Sequence, residues 1–260
     1  MEVWKAAILG IVQGLTEFLP VSSSGHLLLF ERILGADTGG ADLFLGVMLH
    51  AGTLAAVLFV YAPRLMQMLK NDRKKIAYLI LATIPGALAG LFLGDFIDEL
   101  FFGGEWLWAA FAVTALLLIF CEGVAHRRKI LRPLGAGNAF AVGCAQAIAV
   151  IPGLSRSGTT LSAGVLCGLS REDSADFSFL MSIPIIAGAI VAELYKSMQN
   201  VGYASAISWQ SLFIGTLCAA VFGFISIRFM LRLVKKRSLI GFAVYLVLLS
   251  VTFLIFKIIY

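Results

Sequence analysis

Gly10-Ile11-Val12-Gln13-Gly14-Leu15-Thr16-Glu17-Phe18-Leu19-Pro20-Val21-Ser22-Ser23-Ser24-Gly25-His26 has an outline copy later in the chain, where Gly143-Cys144-Ala145-Gln146 leads through Pro152 to Ser155-Arg156-Ser157-Gly158. Each stretch is an apolar segment bearing Gly-x-x-Gln, then a proline, then a Ser-x-Ser-Gly loop. A polar loop written twice inside an oil-rich chain predicts one site built from two halves.

The environment follows from composition. Of 260 residues, 60% are hydrophobic and 13% charged, and the mean hydropathy of +0.95 lies outside the range of soluble domains. A bilayer crossing needs roughly 20 apolar residues, and six windows supply them: Leu43 to Ala62, Ile76 to Gly94, Trp106 to Cys121, Phe177 to Tyr195, Leu212 to Leu231 and Ile240 to Ile259. Ala6 to Leu19 and Ala139 to Ile151 are too short to cross, and each runs into proline and a polar loop. They predict re-entrant helical hairpins, whose irregular tips need protein or a wet cavity to satisfy their amides. The expected fold is an all-α integral membrane protein, one domain over 1–260, with six transmembrane helices and two re-entrant hairpins.

The repeat extends beyond the loops. Ala41-Asp42 and Tyr61 recur as Ala175-Asp176 and Tyr195, one residue out of step with the first match. Repeat 1 then covers about 1–125 and repeat 2 about 134–260, each a hairpin plus three spans. Three is odd, so the second half is expected upside down relative to the first, an inverted-topology repeat of the kind that places sites near the membrane midplane. Chance likeness of two apolar segments is the plain alternative; matches at Gln, Ser and Asp speak against it.

Loop charge sets the orientation. Arg64, Lys70, Arg73, Lys74 and Lys75, then Arg127, Arg128, Lys129 and Arg132, then Arg232, Lys235, Lys236 and Arg237 mark three inside loops. Asp95, Asp98, Glu99 and Glu105 mark an outside one, and the 196–210 stretch, with Lys196 alone, another. The net charge of +5 therefore belongs to loops facing anionic lipid, and no nucleic-acid role is expected. Gln13 and Glu17 interrupt the first apolar run and no small-residue cleavage site follows, so no secretory signal is expected. Cys121, Cys144, Cys167 and Cys218 lie in apolar segments without ligand spacing and read as buried packing residues.

On a helix, Gly10, Gln13, Gly14 and Glu17 share one stripe, where glycines admit a close backbone and polar groups face it. The second copy keeps Gly143 and Gln146, followed by Ala147 and Val150, and lacks the acid. An acid at membrane depth costs about 2.5 to 3.5 kcal/mol on insertion scales, so Glu17 reads as a structural acid, a metal ligand or a proton-handling carboxylate. Ser22, Ser23 and Ser24 before Gly25 and His26 can open a helix with amides and hydroxyls facing one point, a phosphate cradle. Serine caps are common without function, but an imidazole beside a hydroxyl can activate it or take its proton. His50, alone in an apolar span, reads as structural. Arg156, flanked by Ser155 and Ser157 and followed by Thr159 and Thr160, adds a planar fork for phosphate oxygens. Together these groups suit phosphoryl transfer on a lipid-borne phosphate.

Gln13 to His26 resembles the signature of the undecaprenyl-diphosphate phosphatase (bacitracin-resistance) family, and Pro152-Gly153-Leu154-Ser155-Arg156-Ser157-Gly158-Thr159-Thr160 is similar to its second signature. The similarity runs through nearly the whole chain, including Asp176-Phe177-Ser178-Phe179-Leu180. The resemblance implies hydrolysis of undecaprenyl diphosphate on the outer face of the bacterial inner membrane, regenerating the carrier lipid for cell-wall synthesis, with bacitracin competing for that lipid. It puts the family's E/Q-x-x-x-E pattern on Gln13 and Glu17, and its serine, histidine and arginine on Ser23, His26 and Arg156. Ser22, Ser24, Ser155, Ser157 and Thr160 join Gln13 as phosphate-binding candidates. It also implies a divalent cation, Mg or Ca, seated on Glu17 and the substrate phosphates. Gln13 stands where some relatives carry an acid, which weakens any scheme needing two carboxylates there. Two chemistries stay open, attack by Ser23 with His26 as base or direct attack by water with the same base. The rival class is a transporter or flippase of polyprenyl phosphates; a channel fits these residues less well. A homodimer also stays open.

Overall fold

The computed structural model describes residues 1–36, 42–101, 104–127, 130–199 and 207–259, and within these the chain forms ten α-helices and no strand. They are α1 (Val3–Phe18), α2 (Ser23–Leu34), α3 (Asp42–Asn71), α4 (Arg73–Phe101), α5 (Leu107–Arg127), α6 (Ala136–Ile148), α7 (Arg156–Leu166), α8 (Arg171–Gln199), α9 (Trp209–Lys236) and α10 (Ile240–Ile259). Of the repeat and charge residues, Ala41, Arg128 and Lys129 lie outside the described residues, as do the side chains of Asp42, Asp95, Asp98 and Lys196.

Six helices are long and apolar enough to cross a bilayer: α3, α4, α5, α8, α9 and α10. Five of them contain one expected span each and α5 covers the sixth from Leu107 on, so the protein is a multi-pass membrane protein. Helix α3 outruns its apolar window by continuing through Pro63, and α4 and α8 run unbroken through Pro85 and Pro184 inside theirs. Proline is tolerated inside membrane helices because neighbouring groups re-satisfy the freed carbonyl. Phe59, Phe92, Leu91 and Ile258 are large and exposed, the surface expected of a chain solvated by lipid. The cysteines are all free, but only Cys121 is buried; Cys144 is exposed and Cys167 and Cys218 are half-buried, which corrects their reading as buried residues.

The four short helices form two pairs, α1 with α2 and α6 with α7. Helix α1 runs alongside α9: Ser211 Oγ donates to the Met1 carbonyl and Ser226 Oγ to the Leu15 carbonyl, at 3.1 and 2.8 Å. Between those contacts a Cβ at Gly10 would sit 2.2 Å from the Gly215 carbonyl oxygen, so only glycine lets the backbones meet. Helix α6 approaches α4 the same way, with a Cβ at Gly143 falling 2.4 Å from the Ala82 carbonyl oxygen.

The basic ends are tied by ion pairs. Arg64 and Tyr61 of α3 both donate to Asp176 of α8. Buried Glu122 of α5 accepts from Arg171, from Ser238 at 2.9 Å and from the Leu239 amide at 3.2 Å. Lys235 lies 3.4 Å from Glu172. These contacts gather the ends of α5 and α9 and the start of α8 at one end of the bundle.

Candidate active site

The turns of the two short pairs meet. Ser157 Oγ donates to the Leu19 carbonyl at 2.8 Å, and the Gly153 amide donates to Ser24 Oγ at 3.3 Å. Gly158 packs so close to Pro20 that an added Cβ would lie 3.2 Å from the proline side chain. Between the turns lies a cavity of about 170 Å³ lined by Glu17, Ser22, Ser23, Ser24, Ser155 and Arg156, with His50 and Ile185 on its walls. Its size is on the scale of a phosphate group.

Glu17 ends α1 and is buried, and its charge is answered from every side. Oε1 accepts from Arg156. Oε2 accepts from Ser23 Oγ at 2.7 Å and from Gln13 Nε2 at 3.1 Å, one helical turn back. His50 Nε2 stands 3.9 Å from the same oxygen, its ring held by Nδ1 donating to the Gly46 carbonyl at 2.8 Å. That placement corrects the reading of His50 as an isolated structural residue: it faces the acid. An apolar span hides the fact because the acid it meets belongs to another helix.

Two helices begin at the cavity. Ser22 caps α2 by accepting from the Gly25 amide, and Ser155 caps α7 by accepting from the Gly158 amide at 3.1 Å. The free amides and dipoles of both helix starts favour an anion. Ser22 is the only non-glycine residue with a left-handed φ, 72°, among the described residues, a conformation that costs about 1 to 3 kcal/mol and needs its surroundings to hold it. Arg156 offers more: its Nη1 is buried without a hydrogen-bond partner among the described residues. One fork nitrogen holds Glu17 and the other is available to a phosphate oxygen.

The remaining candidates divide. Gln13, Ser22, Ser23, Ser24, Ser155 and Arg156 gather at or beside the cavity. Ser157 ties the two turns together. Thr160 Oγ1 turns to the Arg156 carbonyl and to Ser178 Oγ at 2.6 Å, a position that fastens α7 to α8. His26 is not brought to Ser23: its Nδ1 lies 2.7 Å from the Ser22 carbonyl and its Nε2 2.7 Å from the Tyr245 hydroxyl. Tyr245, an isolated tyrosine in a long apolar span, offers no local signal in the sequence.

A divalent cation fits here only in one form. No three His, Cys, Asp or Glu side chains gather around one point among the described residues. Glu17 and the unpartnered Gln13 Oε1 are the hard oxygens on offer, a set suited to a cation that completes its shell with water and phosphate oxygens.

The sequence pattern described as Bacitracin resistance protein BacA matches residues 6–252. The chain belongs to that family. It is 38% identical to the undecaprenyl-diphosphatase of Carboxydothermus hydrogenoformans over 99% of this chain and 98% of the relative. It is 40% identical to the undecaprenyl-diphosphatase of Halothermothrix orenii, over 94% of both chains. Identity reaches 42% with undecaprenyl-diphosphatase 4 of Bacillus cereus, over 94% of this chain and 93% of that one. The first signature, the second signature and both turns of the cavity all fall inside the part the family covers.

Proposed function

We propose that the protein is a membrane phosphatase that hydrolyses undecaprenyl diphosphate to undecaprenyl phosphate and inorganic phosphate, recycling the lipid carrier of cell-wall synthesis. The observation that carries the reading is the junction at Glu17, where Ser23 of one turn and Arg156 of the other meet a single carboxylate. Full-length similarity to proteins named undecaprenyl-diphosphatase supports it.

In this reading the diphosphate enters the cavity, and Arg156 and the two helix starts hold its terminal phosphate. Ser23 Oγ attacks the terminal phosphorus while its proton passes to Glu17 Oε2, which already accepts that hydrogen bond. The bridging P–O bond breaks, and undecaprenyl phosphate leaves with the electron pair. Water then attacks the phosphoserine and releases inorganic phosphate. Glu17, with Gln13 beside it, would hold the Mg or Ca ion, which when bound neutralises phosphate charge. Ser23 hydrogen-bonded to an acid favours it as nucleophile over direct attack by water. The prenyl tail lies outside the cavity, among the lipid-facing spans.

The contacts of α1 with α9 and of α6 with α4 support opposed entry of two re-entrant pairs. Helix α4 starts at the basic end and α9 finishes there, so α1 comes in from the acidic end and α6 from the basic end. The cavity walls from Ile185 to Ala189 lie from the middle of α8 onward, away from the end where α8 starts beside the basic loops, which supports a site open to the outer face of the bacterial plasma membrane. The deciding experiment is phosphate release from undecaprenyl diphosphate by protein in detergent micelles, with and without chelator. Release that requires a divalent cation but no sealed compartment is expected; release absent in micelles, with lipid movement in vesicles, would favour a flippase.

A further inference from the structure

We propose that Tyr245 is a positioning residue for this reaction, acting through His26 to hold the backbone turn that presents Ser23. The inference rests on Ser23 as the attacking group. Tyr245 belongs to α10 and to neither signature, yet its hydroxyl lies 2.7 Å from His26 Nε2. The two rings stack with centroids 5.7 Å apart and planes 21° from parallel.

The direction of each bond is fixed by chemistry. The Ser22 carbonyl can only accept, so His26 Nδ1 carries the ring proton and donates to it. In the neutral ring Nε2 then has a lone pair, and Tyr245 donates into it. Both nitrogens are thus committed, while the Ser23 hydroxyl points to Glu17 instead. His26 is a strut, not the base for Ser23. The strut ends on Ser22, the residue with the left-handed φ and the one immediately before Ser23. Phe111 meets the His26 ring edge-on with centroids 5.8 Å apart and is itself in contact with Phe253. A line of contact therefore runs from α10 through a histidine to the main chain of the nucleophile turn. The arrangement follows the logic by which a third group orients a catalytic base, except that here the main chain is oriented.

The test is a double-mutant cycle on kcat for phosphate release in micelles, below the melting temperature of every variant. Tyr245→Phe keeps the ring stacking and deletes the donor. His26→Asn keeps an N–H for the Ser22 carbonyl but has no Nε2 to receive the tyrosine. Tyr245→Phe alone is expected to lower kcat about tenfold with KM within about twofold, since it displaces a reacting group without removing a substrate contact. In the His26→Asn background the same change is expected to cost less than about twofold, because the partner it acts through is gone. An unchanged kcat, or an equal loss in both backgrounds, overturns the inference. Ser23→Ala separates it from the reading beneath: an active Ser23→Ala removes both, whereas an inactive Ser23→Ala beside a fully active Tyr245→Phe removes the inference alone.

Discussion

Single side chains carry the chemistry, and their substitution separates point charge from shape. Arg156→Lys keeps the charge but cannot hold Glu17 with one nitrogen and a phosphate with another, so kcat is expected to fall about 100- to 1000-fold. Glu17→Gln removes the proton acceptor and the anionic oxygen together; activity is expected to fall at least about 100-fold, and whatever remains should lose its response to chelator. Phosphate release across a Mg titration checks both. Glu17, Arg156 and the serine run 22–24 were legible in the sequence because polar groups at membrane depth are costly and stand out against apolar neighbours, whereas Ser23 was singled out within the run by the family resemblance alone. His50, Tyr245 and Glu122 were not. Each acquires its meaning from a partner on another helix, the His26–Tyr245 pair being separated by 219 positions, and no spacing rule reaches that far.

Helices matter here through how closely they approach. Gly10 faces the Gly215 carbonyl at a distance that excludes a side chain, whereas a Cβ at Gly90 meets nothing within 4 Å. Gly10→Val is expected to destabilise the protein by about 1 to 3 kcal/mol through backbone displacement, and Gly90→Val to stay within about 0.5 kcal/mol. Thermal unfolding in one detergent compares them. The six spans were readable from the length of their apolar runs, and the short pairs from runs that stop at proline. Helix ends were less so: Pro63, just past the first expected span, marks no boundary, since helix packing in a bilayer outweighs the local preference of the residue. The contact stripe of α1 was visible as glycines at helical spacing, but its partner α9 was not, because a stripe does not name what it packs against.

Across the whole molecule, the basic loops carry the proposed orientation. A cysteine placed at Lys74, in a chain stripped of its own four cysteines, is expected to resist a membrane-impermeant thiol reagent in intact cells and to react after permeabilisation; one placed at Glu105 is expected to react in both. Loop charge is legible in the sequence, as is the doubling of the polar loop. How the two copies meet was only implied, because Ser157 on the Leu19 carbonyl and Ser24 on the Gly153 amide are contacts between distant segments. That mutual fastening bears on biosynthesis. A ribosome that has delivered only the first half into the membrane has delivered Glu17 and Ser23 without Arg156, and the Tyr245 prop follows near the end of translation. With the proposed site, hydrolytic competence arises late and abruptly, and two separately encoded halves that find each other in the bilayer would acquire it together or not at all.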